Sequence, residues 1–593
     1  MAVAGLLAIG TACGTSGVAQ SQSDNFHQWA KTPPMGWNSW DIFGTAITEK
    51  QAREQADAMA RHLLPAGYDI FTVDIQWYQP TASTHFYDAN AIYNLSMDEV
   101  GRLTPAPNRF PSAKEGNGFK SLADYVHSKG LRFGIHIMRG IPKRAVKENT
   151  PVLGTNLRAK DIALTSSTCP WNPDMVGVDA TKPGGQAYYD SIIQLYASWG
   201  VDYIKCDDIS RPYDDVQKAE IEALRKAIDK SGRPIVLSLS PGATPISKGE
   251  HVMKQANLWR ISDDFWDRWG ALREMFEQVH LWEPYRGPGH WPDADMIPFG
   301  FVEFNRPTKF TRDEHYTLMS LWSIARSPLI FGGDMTRLDE FTLSMLTNPE
   351  VLKVNQNSAN NRQVSRVKDL IVWAADVPGS PDKYVALFNA QSKGDIDFAS
   401  ADYASPIIAG EGKSQEITVS VKGGKRVVLF VKDGGDNFNF DHAVWVDPVL
   451  RGPKGELKLT GLKWSYADAG WGEARVNRTC EDRPLMVDGR AVSGIGTHAN
   501  STIIYDLPEG YDTFSTTGVM SNRGSVVFGV LVDRGEQIVT DASEVCVAFK
   551  DLGISGQATV RDLWVRKDLG VFEGSFSQKL PLHGAGLYRV SGE

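Results

Sequence analysis

The stretch YIKCDDIS, residues 203–210, starts as a strand and ends in two adjacent carboxylates. Its β-branched and aromatic residues favour a buried, extended segment. Asp207 and Asp208 repel each other there unless something uses one of them. A solvated loop or a helix N-cap would account for them without any function, whereas a catalytic carboxylate at the mouth of a barrel would give one of them a role. The rest of the sequence decides between these interpretations.

A repeating pattern surrounds this stretch. From residue 33 to about 335, a short apolar run ends in a polar or aromatic residue, and a helical stretch follows. The runs that we interpret as strands lie at 33–40, 69–77, 132–138, 202–208, 234–240, 258–264, 290–297 and 328–335. Thr48 and Gln51 form a capping box before the first helix, and two later helices are expected to end at Gly200 and Gly232. Eight strand–helix units over ~300 residues predict a (β/α)8 TIM barrel.

The predicted strand ends carry the candidate site. In a (β/α)8 barrel the active site is built at the C-terminal ends of the strands. The residues at the eight predicted ends are Trp40, Asp74, His136, Asp207, Ser240, Asp264, Asp295 and Asp334. A ring of aspartates with tryptophan nearby suits glycoside hydrolysis. A retaining glycosidase needs two carboxyl groups ~5–5.5 Å apart, one as nucleophile and one as acid/base.

Basic residues lie beside two of these carboxylates. Lys205 is two residues before Asp207, hence on the same face of the strand, and its charge is expected to lower the pKa of Asp207. Arg260 is four residues before Asp264 and is expected to clamp a sugar hydroxyl. The alternative is that these are buried ion pairs that hold the barrel together. The same arrangement at two strand ends favours the catalytic interpretation.

The composition of the whole chain excludes several classes of function. The 593 residues exceed a single domain, and 42% hydrophobic with 22% charged residues is ordinary for a globular protein. A net charge of -9 without any basic run argues against nucleic acid and anionic membranes as partners. Neither C-x-x-C nor H-E-x-x-H occurs, so we expect no metal in the barrel and no cofactor. The expected partner is an oligo- or polysaccharide, and the sequence does not indicate an oligomeric state.

The N-terminus is typical of an export signal. Residues 1–24 are interpreted as a signal peptide and leader, with an apolar stretch at 2–12. Gly17 and Ala19 fit a small-x-small cleavage site after Ala19. We therefore expect a secreted or periplasmic protein, with a lipid anchor at Cys13 as the alternative. Elsewhere no stretch approaches the ~18 apolar residues of a membrane span.

A set of motifs resembles glycoside hydrolase family 27, the α-galactosidase family of clan D. The motifs are TPPMGWNSWDIFG, GYDIFTVDIQW, DYVHSKGLRFGIH, WGVDYIKCDD, WRISDD, GHWPDADM and SLWSIARSPLIFGGDM, which together cover about residues 32–360. The resemblance implies a (β/α)8 barrel and a retaining mechanism, with Asp207 as the nucleophile and Asp264 as the acid/base. It also implies a substrate-binding site, for which we take Trp40, Asp74, His136, Lys205, Ser240, Arg260 and Asp295.

The chain also departs from the α-galactosidase pattern. The family carries two consecutive aspartates on the second strand, which hold the galactose hydroxyls around C4 and C6, but here Ile75 follows Asp74. SPGA at 240–243 replaces a glutamate-containing motif, and its small residues resemble the α-N-acetylgalactosaminidase branch. Ile209 stands where the family has a cysteine, so the usual active-site disulfide lacks one partner.

These features give a ranked set of activities. The resemblance implies a secreted retaining α-glycosidase, with α-galactosidase named first. The alternatives on the same scaffold are α-N-acetylgalactosaminidase, isomaltodextranase-like and β-L-arabinopyranosidase activities. A non-catalytic carbohydrate-binding protein is the alternative of another class. An inactive homologue would be expected to lose Asp207, Asp264 or Lys205, and all three are present.

The C-terminal third changes from helices to alternating strands. We expect the barrel to span 25–360, and 361–400 with 546–593 to form the antiparallel β-sandwich that ends this family. The segment 401–545 resembles an NPCBM-type carbohydrate-binding module inserted into that sandwich, which is a tolerated kind of insertion. The alternative is an accessory sandwich that binds nothing. A loop with Asp433, Asp436 and Asp441 is a weak calcium candidate.

Overall fold

A computed structural model describes residues 22–396, 398–436, 440–535 and 542–592. Most of the predicted signal peptide, and Asn437 and Asn439 of the aspartate-rich loop, lie outside the described residues. The chain divides into two compact units. The first runs to residue 267 and includes 274–309 and 325–358, and the second comprises 268–273, 310–324 and 359–593.

The first unit contains eight parallel strands, each at a predicted position. They are β1 (Met35–Asn38), β2 (Ile70–Val73), β3 (Arg132–Met138), β4 (Tyr203–Asp207), β5 (Val236–Leu239), β6 (Leu258–Arg260), β7 (Trp291–Asp293) and β8 (Leu329–Phe331). Their order in the sheet is β7-β6-β5-β4-β3-β2-β1-β8. A parallel bridge between Ile297 and Phe331 joins the two ends of this order. The TIM-barrel prediction is therefore confirmed.

Helices follow the strands in the order that the sequence predicts. They are α1 (Glu49–His62), α2 (Lys120–Ser128), α3 (Pro183–Trp199), α4 (Asp215–Ser231), α5 (Gly249–Met253), α6 (Trp269–Leu281), α7 (Arg312–Ala325), α8 (Glu340–Thr347) and α9 (Pro349–Gln356). The predicted capping box is present, because Thr48 accepts from the Gln51 amide and the Gln51 side chain accepts from the Thr48 amide. Helices α3 and α4 end as predicted at Gly200 and Gly232, both with left-handed backbone.

The segment Gln22–Ala30 forms a 3-10 helix against the starts of the strands. Trp29 packs on a buried apolar cluster that consists of Ala30, Ile70, Tyr203, Val236, Leu258 and Trp291. The indole of Trp291 donates to the Ala30 carbonyl over 2.7 Å, and Asn257 donates to the Phe26 carbonyl over 3.0 Å. Apolar residues thus fill the N-terminal end of the barrel, and the polar strand ends lie at the other end.

The second unit is built from antiparallel strands. Those of five or more residues are β9 (Ala359–Val367), β10 (Leu370–Asp376), β11 (Lys383–Asn389), β12 (Ser414–Ser420), β13 (Arg426–Asp433), β14 (His442–Gly452), β15 (Gly494–His498), β16 (Ser501–Asp506), β17 (Thr513–Met520), β18 (Ser525–Asp533), β19 (Ser543–Ala548), β20 (Gln557–Asp562), β21 (Lys567–Glu573), β22 (Ser575–Leu580) and β23 (Ala585–Gly592).

These strands form two separate β-sandwiches. One contains the sheet β9-β10-β11-β23-β20-β21 and the pair β19-β22, around a core that includes Leu387, Val547 and Phe576. The other contains the sheets with β18-β13-β16 and β12-β17-β14-β15, around a core that includes Trp445 and Phe528. Because β11 and β23 are neighbours while the second sandwich lies between them in the chain, the inserted arrangement of the fold is confirmed.

Candidate active site

The strand β4 ends at Asp207, whose carboxylate is held from two sides. One oxygen, Oδ2, lies 2.8 Å from Nε2 of His136 on β3. The other, Oδ1, accepts the Asp208 amide over 2.7 Å. The Arg139 amide donates to the Asp207 carbonyl over 3.0 Å. The side chain is largely buried, with 11% exposed, so its carboxylate has one defined orientation.

Asp74, at the end of β2, lies at the centre of a second set of contacts. Its Oδ2 accepts from Nδ2 of Asn38 over 2.7 Å and from Nζ of Lys205 over 3.1 Å. Its Oδ1 lies 4.0 Å from Nε2 of His136. Burial favours the protonated carboxyl, but Lys205 and His136 outweigh burial and lower the pKa of Asp74. Asp74 is thus an ionised acceptor beside Asp207.

Lys205 has a different partner from the one that the sequence suggests. Its charge is expected from the sequence to act on Asp207, two residues further along the same face, but its ammonium group donates to Asp74. The reason is that side chains of β4 and β2, on either side of β3, meet inside the barrel, while His136 on β3 already contacts the Oδ2 of Asp207. Burial opposes the charge of Lys205, yet Asp74 first and Asp207 second raise the pKa of the ammonium.

Asp264 follows β6 on the other side of this cleft. Its Oδ1 lies 3.3 Å from Nη2 of Arg260, and its side chain is 53% exposed. Loss of surrounding water raises the pKa of Asp264, Arg260 opposes this, and the charges of Asp295 and Asp207 add to the rise. The side chain of Asp264 is therefore half exposed, while the protein atoms around its carboxyl and the nearby carboxylates raise its pKa above that of an ordinary aspartate.

Arg260 is shared between two carboxylates. Besides Asp264, its Nη2 lies 2.8 Å from Oδ2 of Asp295. The same oxygen of Asp295 accepts the Phe265 amide over 2.7 Å. Burial opposes the charge of Arg260, but Asp295 and then Asp264 raise the pKa of the guanidinium. Asp295 fixes Arg260 and the loop after β6, in addition to any contact with a sugar.

Asp208, the second aspartate of the stretch 203–210, belongs to a buried cluster of charged side chains. Asp208, with a left-handed φ of 57°, has its Oδ2 2.9 Å from Nε of Arg139. Nη1 of Arg139 lies 3.0 Å from Oε2 of Glu220 on α4. Oε1 of Glu220 accepts from the Tyr189 hydroxyl and from the Val178 amide. The two adjacent carboxylates thus face different surroundings, which answers why the strand tolerates both.

Ser240 and its neighbours lie against the loop after β6. The Ser240 side chain is buried, and no hydrogen-bond partner of its hydroxyl is found among the described residues. A Cβ on Gly242 would lie 1.6 Å from the Ser262 carbonyl oxygen. Glycine is required there because two backbones touch, which explains Gly242 of SPGA without reference to a sugar.

Asp334 takes a structural role instead of facing the cleft. Its Oδ1 accepts from the side chain of Gln55 over 2.6 Å and from the Thr336 amide, and its Oδ2 accepts from Arg337. The carboxylate therefore caps the short 3-10 helix Met335–Arg337. The sequence could not distinguish this capping role from an active-site role, because both place an aspartate just after a strand.

Three residues of the cleft were not predicted. Asn38 holds Asp74, as described. Asp41 is buried with 3% exposed, and burial, followed by the charge of Asp295, raises the pKa of its carboxyl well above the ordinary value. Tyr87 comes from the loop after β2, and burial followed by Asp207, Asp74 and Asp264 raises the pKa of its phenol. The motif GWNSWD contains two of these residues, whereas nothing in the sequence marks Tyr87.

Metal sites and membrane spans were also sought in the part of the chain that the structure describes. No group of three or more His, Cys, Asp or Glu there is arranged to hold a metal ion. Asp441 and Asp436 of the calcium candidate accept from the amide and hydroxyl of Ser525 respectively, and Asp433 accepts the Gly435 amide. Within the same ranges, none of the helices combines the length and the apolar character that a bilayer crossing needs. The four described cysteines are free thiols.

Comparisons with known proteins assign this arrangement to a family. The family described as "Alpha galactosidase A" matches residues 32–150 and 173–357, more than half of the chain. A GH27 β-L-arabinopyranosidase from Geobacillus stearothermophilus is 38% identical, with a TM-score of 0.68 over 96% of this chain and 98% of that chain. The chain belongs to glycoside hydrolase family 27. It is therefore a glycoside hydrolase by family.

Curated relatives and the remaining domains agree with this membership. The α-galactosidase of Cyamopsis tetragonoloba is 32% identical over 61% of this chain and 74% of its own length. The α-N-acetylgalactosaminidase of Homo sapiens is 28% identical over 58% of this chain and 73% of its own length. The NPCBM/NEW2 domain matches 396–451 and 455–548, and the α-galactosidase C-terminal β-sandwich domain matches 518–590. This GH27 member thus carries a module of the carbohydrate-binding kind.

Proposed function

We propose that this GH27 enzyme is a retaining glycosidase that releases a terminal galacto-configured pyranose, and that β-L-arabinopyranosides are better substrates than α-D-galactosides. The observation that carries the proposal is that Asp207 and Asp264 lie near enough for their charges to interact, with Asp74 fully buried and ionised between basic groups. The choice of sugar rests on Ile75.

Asp207 is the nucleophile of this proposal. Its carboxylate attacks the anomeric carbon while Asp264 gives its proton to the glycosidic oxygen, so that the C–O bond breaks and the leaving group departs as an alcohol. His136 and the Asp208 amide hold the attacking carboxylate in place. Asp264, whose pKa is raised, carries the proton that this step needs.

The second step reverses these roles. Asp264, now ionised, takes a proton from a water molecule, and the resulting hydroxide displaces Asp207 from the anomeric carbon. Two displacements restore the original anomeric configuration. The solvent exposure of the Asp264 side chain, 53%, supports its contact with both a leaving group and water.

Ile75 separates the two candidate sugars. β-L-Arabinopyranose has the ring hydroxyls of α-D-galactopyranose but lacks the C6 hydroxymethyl group that galactose carries on C5. Ile75 is buried, with 1% exposed, and directly follows Asp74. An isoleucine cannot accept a hydrogen bond from a C6 hydroxyl, and an unsatisfied buried hydroxyl costs about 1–3 kcal/mol. The five-carbon sugar has no C6 hydroxyl, so its binding does not carry this free-energy cost.

The similarity to the Geobacillus β-L-arabinopyranosidase supports the same order. It reverses the order suggested by the sequence motifs, which named α-galactosidase first. α-Galactosidase activity stays the second candidate, because Asp74 is retained and three of the curated relatives are α-galactosidases.

The test compares kcat/KM for nitrophenyl β-L-arabinopyranoside and nitrophenyl α-D-galactoside in the wild type and in Ile75→Asp. We expect the wild type to prefer the arabinoside and Ile75→Asp to shift the ratio toward the galactoside by roughly tenfold or more. Proton NMR of the first-formed product should show the anomer of the substrate. An unchanged ratio in Ile75→Asp would remove Ile75 from sugar selection, and an inverted product would exclude the retaining mechanism.

Export and domain boundaries complete the proposal. The apolar stretch at 2–12 and the small residues before position 20 support cleavage after Ala19 and a secreted or periplasmic enzyme. N-terminal sequencing of the mature protein tests this. We further propose the division 25–360 for the barrel, 361–400 with 546–593 for the terminal sandwich, and 401–545 for the module. One end of the module needs adjustment, because Ser543–Ala548 pairs with Ser575–Leu580 and Val545 packs in the core of the terminal sandwich, so the module ends before Ser543.

A further inference from the structure

Aromatic side chains from five loops meet at the rim of the cleft. They follow β1, β2, β3, β6 and β7, and we call them the aromatic collar. Its members are Trp40, His85, Tyr87, Trp171, Trp266 and Phe304. Of these, only Trp40 was assigned to the site from the sequence.

The loop after β2 brings two members into place. It spans 74–119, far longer than the about 2–6 residues that usually join a strand to a helix. The Thr45 amide donates to the Thr84 carbonyl over 3.0 Å, and the Thr45 hydroxyl donates to the same oxygen. A Cβ on Gly44 would lie 2.7 Å from the His85 ring. The tip of the loop is therefore seated on the segment after β1.

Tyr87 lies between two indoles. Its ring is nearly parallel to that of Trp40, with centroids 6.2 Å apart and planes 15° apart. Its ring centroid is 5.3 Å from that of Trp171, at an angle of 50°. All three side chains are partly exposed, so their rings line a surface that a ligand can reach.

His85 extends the collar on the other side of Trp40. Its ring contacts Trp40, Phe304 and Trp266 at centroid distances of 5.8, 4.8 and 6.4 Å. Burial lowers the pKa of His85 despite the nearby charge of Glu303. The imidazole is neutral at ordinary pH, and the collar presents uncharged rings.

The collar is continuous with the catalytic cleft. The phenol of Tyr87 lies near enough to Asp207, Asp74 and Asp264 for their charges to act on it, and Trp40 directly precedes the buried Asp41. A ligand held in the cleft by its sugar therefore extends past these rings when it leaves through the mouth. Uncharged aromatic rings bind flat apolar faces, while a few polar groups fix orientation.

We propose that the aromatic collar is the subsite for the leaving group, and that it selects leaving groups with a flat apolar face. A second sugar ring and an aromatic aglycone share this chemistry. The inference rests on the proposed function, because a leaving group exists only if the enzyme cleaves a glycoside. It names the residues that select the leaving group, whereas the sugar-binding residues select only the sugar that is released.

The test varies the leaving group while the sugar stays the same. The substrates are the methyl glycoside, a disaccharide and a phenyl glycoside of the sugar that the wild type hydrolyses best. Trp171→Ala should lower kcat/KM roughly tenfold for ring-shaped leaving groups and by less than about twofold for the methyl glycoside. Trp171→Phe should retain most of the activity. Phe86→Ala, on the loop of Tyr87 and 83% exposed but outside the collar, is the matched control and should change none of the three.

The substrates on which Trp171→Ala loses activity show which class of leaving group the collar binds. A loss confined to the disaccharide assigns the collar to a sugar ring, and a loss confined to the phenyl glycoside assigns it to an aromatic aglycone. Equal losses on all three substrates, or no loss on any, would overturn the proposal. Should Trp171→Ala not fold, Trp171→Leu against Trp171→Phe makes the same comparison with a bulky side chain. A wild type that hydrolyses no glycoside would refute the proposed function itself, before any variant is compared.

Discussion

At the scale of single residues, the carboxylate of Asp207 gives the most diagnostic prediction. Asp207→Ala should lower kcat by several orders of magnitude and leave folding intact, because the surrounding contacts of Asp74 and Lys205 persist. Added azide should restore turnover as a glycosyl azide, since a small anion fits the space of the lost carboxylate. Product analysis with and without azide is the measurement. Near-normal hydrolysis by the variant would rule out Asp207 as nucleophile.

Asp264 should show a different signature. Asp264→Asn removes the proton donor, so substrates with poor leaving groups should slow far more than activated aryl glycosides, which need no proton in the first step. The kcat/KM values of an alkyl and a nitrophenyl glycoside of the same sugar, in wild type and variant, give the comparison. An equal loss on both substrates would move the acid role to another group.

The sequence located residues better than it located their partners. The two-residue period of the strands showed where each strand ends. The positions of Asp207 and Arg260 at strand ends, and of Asp264 just after one, could therefore be predicted. The bond of Lys205 to Asp74 could not, because it joins side chains of different strands and depends on how His136 occupies the space beside Asp207. Tyr87 left no signal at all, since it lies in a long loop without periodicity.

At the scale of elements, the cluster of Arg139, Asp208 and Glu220 ties β3, the end of β4 and α4 together. Glu220 is fully buried, and burial raises its pKa from the ordinary 4.5 to about 7, with Arg139 opposing. Its other contacts are the hydroxyl of Tyr189 and the amide of Val178. The folded state therefore binds a proton that the unfolded chain releases above about pH 4.5, and stability falls as pH rises from there to about 7.

Glu220→Gln should remove this part of the pH dependence. Relative to the variant, the wild type should lose thermal stability between pH 4.5 and 7, by roughly a few degrees in Tm, and change little above pH 7. Differential scanning calorimetry of both proteins across this range is the measurement. Parallel Tm curves would show that Glu220 does not titrate in this window.

The regular elements could be predicted from the sequence, and the connections could not. All eight barrel strands, the cap of α1 and the C-terminal ends of α3 and α4 follow from hydrophobic period and capping chemistry. The loop 74–119, and the small sheet of Ile141–Pro142, Ala163–Thr168 and Met175–Val178 after β3, had no such pattern. Their conformations depend on contacts far along the chain, such as that of Thr45 with Thr84.

At the scale of the whole molecule, we expect the module to bind the enzyme to polysaccharide and to take no part in hydrolysis. Trp471 lies on it with 53% of its surface exposed, and exposed tryptophans are stacking surfaces for sugars. Trp471→Ala should weaken retention on insoluble polysaccharide roughly tenfold and leave kcat/KM on nitrophenyl glycosides unchanged. Met486→Ala, 45% exposed on the same module, is the control and should retain both properties. Unchanged retention by Trp471→Ala would show that this face does not bind sugar.

The order of the domains was the part of the architecture that sequence patterns predicted well. The interruption between KYVALFNAQ and the last strands was visible, because both ends resemble one sandwich and the middle does not. The predicted end of the module at 545 falls inside the strand Ser543–Ala548, which pairs with Ser575–Leu580 of the terminal sandwich, so the sequence placed this boundary only approximately. The pairing of β11 with β23 needed the structure.

That pairing has a consequence during synthesis. Residues 383–388 pair with 585–590. One side of this central strand of the terminal sheet therefore has no partner until almost the last residue has been synthesised. Strand β11 can pair early with β10, but the barrel residues up to 360 and the whole module leave the ribosome before it acquires its second neighbour, β23. The chain emerges in order from the N-terminus at about 5–20 residues per second. Long-range pairing of this kind forms late and slowly. The terminal sandwich is therefore the last part of the chain to complete, and one edge of β11 stays unpaired until the final strand has been made.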